Sequence, residues 1–314
     1  GFGKNEPKRI YKADNPATLT CGVSPMSAEL PKATDAASTD ALEQHLIERI
    51  RKGAIELPLL PQVASRILSM VYDPDAEAAK LAALIHQDQA LAAHVIRIAN
   101  SPAYMTRNPV VSLQHAVSML GMNLMSELAF SASIKGSAFK VPGWDDEVKR
   151  LWQYSLASGA YAKEIARVRR FNVESAYLCG LLHGIGKPVV LQTLVALAKE
   201  QNLTLTQELL HQLLEGYYIQ VGLLVAEDWG LPPPVVESIG FHSDYQYAKT
   251  AKQECMTTCL AGRLANHFLD PVAFDEAMVR EHAVFADLNL YPKDIDALLA
   301  LKDKVQAVVE AMPL

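Results

Sequence analysis

The chain has 314 residues, half of them hydrophobic and a fifth charged, with a net charge of −6. That length buries a large core, as one large domain or two medium ones. An acidic balance without a basic stripe argues against nucleic-acid binding, and only 7% aromatics with Leu and Ala in helical spacing favour an all-α protein over a β-sandwich.

Residues 1–37 contain Pro7, Pro16, Pro25 and Pro31 and show no hydrophobic period, which predicts an irregular N-terminal arm. A helix is expected from Ser38-Thr39-Asp40, capped by Thr39 or Asp40 and ended by Gly53. Val63, Ile67, Leu68 and Val71 share one helix face after Pro61, and Asp73-Pro74 stops that helix. The stretch from Ala76 to Met105 divides into two helices, the second from about Gln89. Asn100-Ser101-Pro102 ends it, with Asn100 suited to a left-handed cap. His86, Asp88 and His94 lie here; the spacing of Asp88 and His94 does not put them on one face, so they read as a solvated surface. Residues 112–139 form a further pair, capped at Ser112 and jointed at Gly121.

After Val141-Pro142-Gly143 comes a long amphipathic helix that ends at Arg167, Arg169 and Arg170, cations suited to a helix C-terminus. CGLLHGIGKPVVL, residues 179–191, carries His183 in an apolar run; it reads either as a packed core histidine or as a ligand. Two or three helices cover 205–245, with Trp229 buried, Gly230 as a C-cap and Pro232 blocking continuation. QECMTTCLAGRLANHF and DIDALLALKDKVQAVVEAM complete the helical pattern. The expected organisation is a helical bundle of two packed blocks, 38–140 and 141–314, following the arm.

The four cysteines, Cys21, Cys179, Cys255 and Cys259, make no CxxC. Cys255 and Cys259 share a helix face, yet two thiolates fall short of a zinc ligand set, so all four read as small buried residues of a reducing cytosol. No run is expected to reach the roughly 20 apolar residues of a membrane span, and the N-terminus lacks a charged-then-apolar leader. A cytoplasmic location is the expectation.

Six stretches in order carry a family resemblance: LPLLPQVASRIL at 57–68, IHQDQALAAHVIRIANSPAY at 85–104, SLQHAVSMLGMNLM at 112–125, LWQYSLASGAYAKEIA at 151–166, GLLHGIGKPVV at 180–190 and VGLLVAEDWGLPPPVVESIGFH at 221–242. Together they resemble the HDOD domain, a branch of the HD metal-dependent phosphohydrolase superfamily, across roughly residues 55–300. The resemblance implies an all-α, HD-domain-like fold.

It also implies where metal ligands would stand. HD hydrolases use a His from one helix, a His-Asp pair from the next and a later Asp, because divalent cations need imidazole nitrogens and carboxylate oxygens. The matched positions here are Tyr154 for the first His, His183-Gly184 for the pair and Gly262 for the later Asp. A further His is matched by Tyr218 or a neighbour, and a His pair by Phe241-His242. No carboxylate stands at a matched position, which predicts no metal and no cofactor.

The resemblance therefore implies a non-catalytic domain of bacterial signal transduction that binds a partner protein or small ligand, with His183, Lys187, His242 and Arg263 as a candidate ligand pocket. Two other readings stay open: a residual phosphohydrolase with ligands among Glu227, Asp228, His242 and Asp244, and a nucleotide sensor using Lys187 and Arg263 as an anion site.

Overall fold

The computed structural model describes residues 33–73, 75–104 and 109–314, with side chains from residue 40 onward. Most of the expected arm, residues 1–32 with Cys21, lies outside the described residues. Helix α1, Ala33–Lys52, starts earlier than the Ser38–Asp40 signal. Ala33, Ala36 and Ala37 are strong helix formers with no breaker between them, so the helix extends back past the capping residues. It ends at Gly53, whose φ of 63° is left-handed.

Next come α2 (Gln62–Val71), α3 (Ala78–His86), α4 (Gln89–Ala99), α5 (Leu113–Leu120) and α6 (Met122–Ala138). Asp88 and Ser112 cap α4 and α5, accepting bonds from the N–H groups of Leu91 and His115. Asn100 is not left-handed, at φ −92° and ψ 2°. Its amide instead brackets Val110 like a strand partner. Nδ2 donates to the Val110 carbonyl at 2.8 Å, and the Val110 N–H donates to Oδ1 at 2.7 Å. His94 is half-buried rather than solvated, and its ring contacts Arg97.

The second half holds α7 (Asp145–Arg169), α8 (Val173–Leu182), α9 (Gly186–Gln201), α10 (Gln207–Asp228), α11 (Pro233–Phe241) and α12 (Lys252–Leu269). Helix α7 starts on Asp145, Asp146 and Glu147 and ends on Arg167 and Arg169, matching its dipole at both ends. It is the spine: α8 and α12 pack along it, while α11 touches α8, α10 and α12. Helices α9 and α10 cross so closely that a Cβ on Gly186 would sit 1.9 Å from the Tyr218 carbonyl oxygen, so only glycine fits there.

Four helices follow: α13 (Glu276–Arg280), α14 (Val284–Asp287), α15 (Pro292–Leu299) and α16 (Lys302–Ala311). The first two went unanticipated, since four or five residues are too short to show a 3.6-residue period. Among the described residues every regular element is helical, so the all-α expectation holds.

The two halves meet through a polar seam within apolar packing. Lys163 on α7 pairs with Glu127 on α6, and both are largely buried. Ser131 and the Tyr177 hydroxyl lie 2.8 Å apart beside them. Burial pushes the Glu127 carboxyl up, against the pull of Lys163. Long tethers close the shell: Trp229 Nε1 donates to the Pro58 carbonyl at 2.7 Å, and Trp152 Nε1 to that of Met312 at 2.8 Å.

One segment departs from the expectation that no apolar run reaches membrane length. Val173–Gln201 qualifies by length and composition, with 78% of its most apolar window buried. It comprises α8 and α9 with the turn at His183–Ile185 between them, and its apolar surface packs against neighbouring helices.

Candidate functional site

The turn between α8 and α9 presents His183 to the middle of the bundle. Its backbone N–H still bonds the Cys179 carbonyl, so the side chain keeps the direction of the last helical turn. The residue is 1% exposed. Nδ1 lies 2.7 Å from the Gly180 carbonyl oxygen. A carbonyl only accepts, so Nδ1 carries the proton and Nε2 is a bare acceptor. The Tyr154 hydroxyl, from α7, fills it at 2.8 Å.

His242, just past α11, repeats the arrangement. Its Nδ1 donates to the Ser238 carbonyl at 2.9 Å, and its Nε2 accepts from the Tyr218 hydroxyl of α10 at 3.0 Å. The two imidazoles meet edge to face, with centroids 4.8 Å apart and planes at 69°. Two relays, each running tyrosine hydroxyl, imidazole, backbone carbonyl, thus stand side by side in the core.

Lys187 closes the cluster on the solvent side. Its Nζ donates to Glu215 Oε1 at 2.6 Å and sits 5.1 Å from the Tyr154 ring centroid and 4.7 Å from that of Tyr218. One ammonium is held by a carboxylate and two aromatic faces, all from α7 and α10. Its side chain is only 13% exposed.

These contacts set the charge state. Burial drives His183 well below the ordinary imidazole range, aided by the His242 ring and Lys187. Burial likewise drives His242 down to about 4. The Tyr154 phenol is pushed well above its usual value, again by burial, with Tyr218 and Glu215 adding to it. At neutral pH all three are uncharged.

The glycines matched to ligand aspartates stand at this cluster. A Cβ on Gly262 of α12 would meet the Tyr154 hydroxyl oxygen at 2.8 Å and His183 Nε2 at 3.4 Å. A Cβ on Gly184 would touch the Tyr154 ring at 3.5 Å. Tyr154 therefore occupies the volume that a side chain at residue 262 would need and lines the space beside residue 184.

The structure brings together Tyr154, His183, Gly184, Lys187, Tyr218, His242 and Gly262. Arg263, one residue past Gly262, is half-buried and lies near His282, whose imidazole is lowered by burial first and by Arg263 second. Glu227 and Asp228 are exposed at the end of α10, and Asp244 is exposed while His242 is buried. Among the described residues, no three His, Cys, Asp or Glu side chains are arranged to hold a metal ion.

Two contributors escaped the sequence reading. Glu215 precedes Tyr218 by three residues, so helical spacing already placed it on the same face. Glu237, on α11, accepts from the N–H groups of Lys249, Thr250 and Ala251 and from the Thr250 hydroxyl, at 2.6–3.1 Å. Burial alone would raise its pKa, but these bonds outweigh it and leave the carboxyl below its usual range. A buried carboxylate thus anchors the start of α12, the helix that carries Gly262.

Known proteins share this architecture. A proposed metal-dependent phosphohydrolase of Shewanella amazonensis SB2B superposes with a TM-score of 0.67 at 23% identity, covering 88% of this chain and 99% of its own. An HDOD domain protein of unknown function from Geobacter sulfurreducens gives 0.66 at 24%, covering 88% and 98%. A proposed signal transduction protein of Marinobacter aquaeolei VT8 gives 0.66 at 25%, covering 88% of this chain and 66% of that one. An uncharacterized protein of Treponema pallidum (strain Nichols) is 26% identical over 225 residues, 68% of this chain. The match spans 43% of that relative's length. The HDOD domain profile matches residues 57–245, from the loop before α2 to just past His242, and so takes in both imidazole relays. With more than half its length under that profile and the fold of solved HDOD proteins, the chain belongs to the HDOD domain family.

Proposed function

We propose that this chain is a non-catalytic regulatory HDOD domain in which a closed tyrosine–histidine network stands where HD hydrolases hold their metals. One observation carries the reading. Each buried imidazole has its Nε2 committed to a tyrosine hydroxyl and its Nδ1 to a carbonyl, so neither offers a lone pair to a cation. The positions that would supply anionic oxygens are Gly184 and Gly262, and Tyr154 fills the space beside them. The residues present do not fit a divalent cation, which needs several carboxylate or imidazole ligands at once. No hydrolytic step is derived through one.

The polar groups are satisfied internally, which suits a scaffold that changes packing on engaging a partner more than a site that turns over substrate. The likeness to a proposed signal transduction protein supports the same direction. The anion-sensor reading loses support because Glu215 already neutralises Lys187. The partner is taken to be a protein or a small ligand, and a cytoplasmic setting agrees with three buried thiols.

The test is direct. Protein purified without chelator is assayed for bound Mn, Fe, Ni, Zn and Mg and for phosphate release from nucleotides and cyclic dinucleotides. We expect neither. Metal-dependent phosphate release that His183→Ala abolishes overturns the proposal.

A further inference from the structure

The chain carries an exposed apolar run at the far end of α12. Residues 271–278 are all exposed, and they include Val272 at 91%, Phe274 at 40% and Met278 at 52%. Their backbone is well tied: Asp270 Oδ1 accepts from the N–H groups of Val272 and Ala273, and the Phe274 carbonyl bonds His267 Nδ1 at 2.7 Å. Asp275 caps α13 by accepting from the Met278 N–H at 2.8 Å. The loop therefore holds its apolar side chains outward from an ordered frame, the pattern of a recognition surface rather than of scattered surface apolar residues.

The charge around this run is one-sided. Residues 270–296 contain seven carboxylates and two cations, a net charge of −5 in a chain whose total is −6. One of the cations, Arg280, is held between Glu276 at 2.6 Å and Asp296 at 2.7 Å, so it offers no attraction to an acidic partner. Four of these carboxylates, Asp270, Asp275, Glu276 and Glu281, are exposed and flank or lie within the apolar run.

We infer that this face is a docking surface for a basic, amphipathic segment of a partner protein, with Val272, Phe274 and Met278 taking apolar side chains and the surrounding carboxylates taking Lys and Arg. Charge complementarity selects the occupant: acidic peptides, nucleic acids and anionic lipid surfaces are repelled, and a purely apolar segment leaves the carboxylates unused. The inference rests on the regulatory reading, for which it names a surface and a partner chemistry.

The experiment uses the full chain and a fluorescent amphipathic helix of Leu and Lys as probe, followed by anisotropy. Binding is expected, weakened at least about tenfold by Phe274→Ser/Met278→Ser and weakened again as ionic strength rises from about 0.05 M to about 0.5 M. Both substituted side chains are exposed, so thermal unfolding of that variant should match the parent. Glu281→Lys, an exposed position, should weaken binding independently. Equal binding by the double variant, equal binding of a Leu/Glu helix, or equal binding of an Ala/Lys helix overturns the inference. So does self-association of the parent chain that Phe274→Ser/Met278→Ser abolishes, because the occupant is then a second copy. Phosphate release by a chain that still binds the probe defeats only the regulatory reading. Absence of both phosphate release and probe binding defeats only the docking surface.

Discussion

The Tyr154 hydroxyl donates a 2.8 Å hydrogen bond to Nε2 of His183, the atom that a metal ligand at this position would have to offer. In the proposed reading Tyr154 stands at the position matched to the first ligand histidine and caps the nitrogen that the second would offer. Removing the hydroxyl with Tyr154→Phe leaves a buried acceptor without a donor, at a cost of about 1–2 kcal/mol. Urea unfolding should show that loss, and the 15N shift of His183 Nε2 should move toward that of an unbonded imidazole nitrogen. An unchanged shift would mean that the bond does not form in solution.

Gly262 and Tyr154 should be energetically coupled. A methyl group at residue 262 meets the tyrosine oxygen at 2.8 Å, so Gly262→Ala forces a displacement in the packed core, costing about 1–3 kcal/mol. In a Tyr154→Phe background the same substitution should cost clearly less, since the contacting oxygen is gone. A double-mutant cycle measures the difference. Strict additivity would place Gly262 away from the hydroxyl.

Stability should fall on mild acidification. His242 drops from 6.5 to about 4 on folding, and His183 is lowered in the same direction. Between those values the unfolded chain binds more protons than the folded one. The stabilisation is therefore complete above pH 6.5 and is lost as pH falls toward 4, at up to about 1.4 kcal/mol per pH unit for each histidine. His94, also lowered to about 4, adds a contribution of the same sign. Urea midpoints from pH 7.5 to 4.5 should show the decline, and His242→Gln should make it shallower. A wild-type profile flat from pH 7 to 5 contradicts the buried, neutral assignment.

The seam between α6 and α7 should depend on its ion pair. Lys163→Met strands the Glu127 carboxylate in a largely buried position and should destabilise the fold by about 3–5 kcal/mol near neutral pH. Without Lys163 the carboxyl takes up a proton more readily, so the penalty should be smaller at pH 5 than at pH 8. Denaturation of parent and variant at both pH values checks this. Equal penalties would show that Glu127 is not desolvated.

Much of the fold was legible along the chain because local rules govern it. Ser112 capped as its residue type suggests, and Gly53 and Gly230 took left-handed conformations at helix ends, whereas the cap at Asp88 was not read from the sequence. Asn100 shows the limit of such rules. Its position suggested a left-handed cap, but a bracket to Val110, ten residues away, decided its geometry. Helices α13 and α14 were too short to show a period, and Arg263 turned toward His282 because one residue along a helix rotates a side chain by about 100°.

For the site, the sequence alone determined which residue types stand at the matched positions: two tyrosines, two glycines, two histidines and a phenylalanine, with no carboxylate. Order and spacing along helices are sequence properties, so that much followed without coordinates. Only the tertiary structure decided that each tyrosine hydroxyl reaches an imidazole, that Lys187 lies between two aromatic rings against Glu215, and that Val272, Phe274 and Met278 stay exposed. The contacts of the site join residues 24 to 33 positions apart. Helix crossing and burial set them, and no local period encodes either.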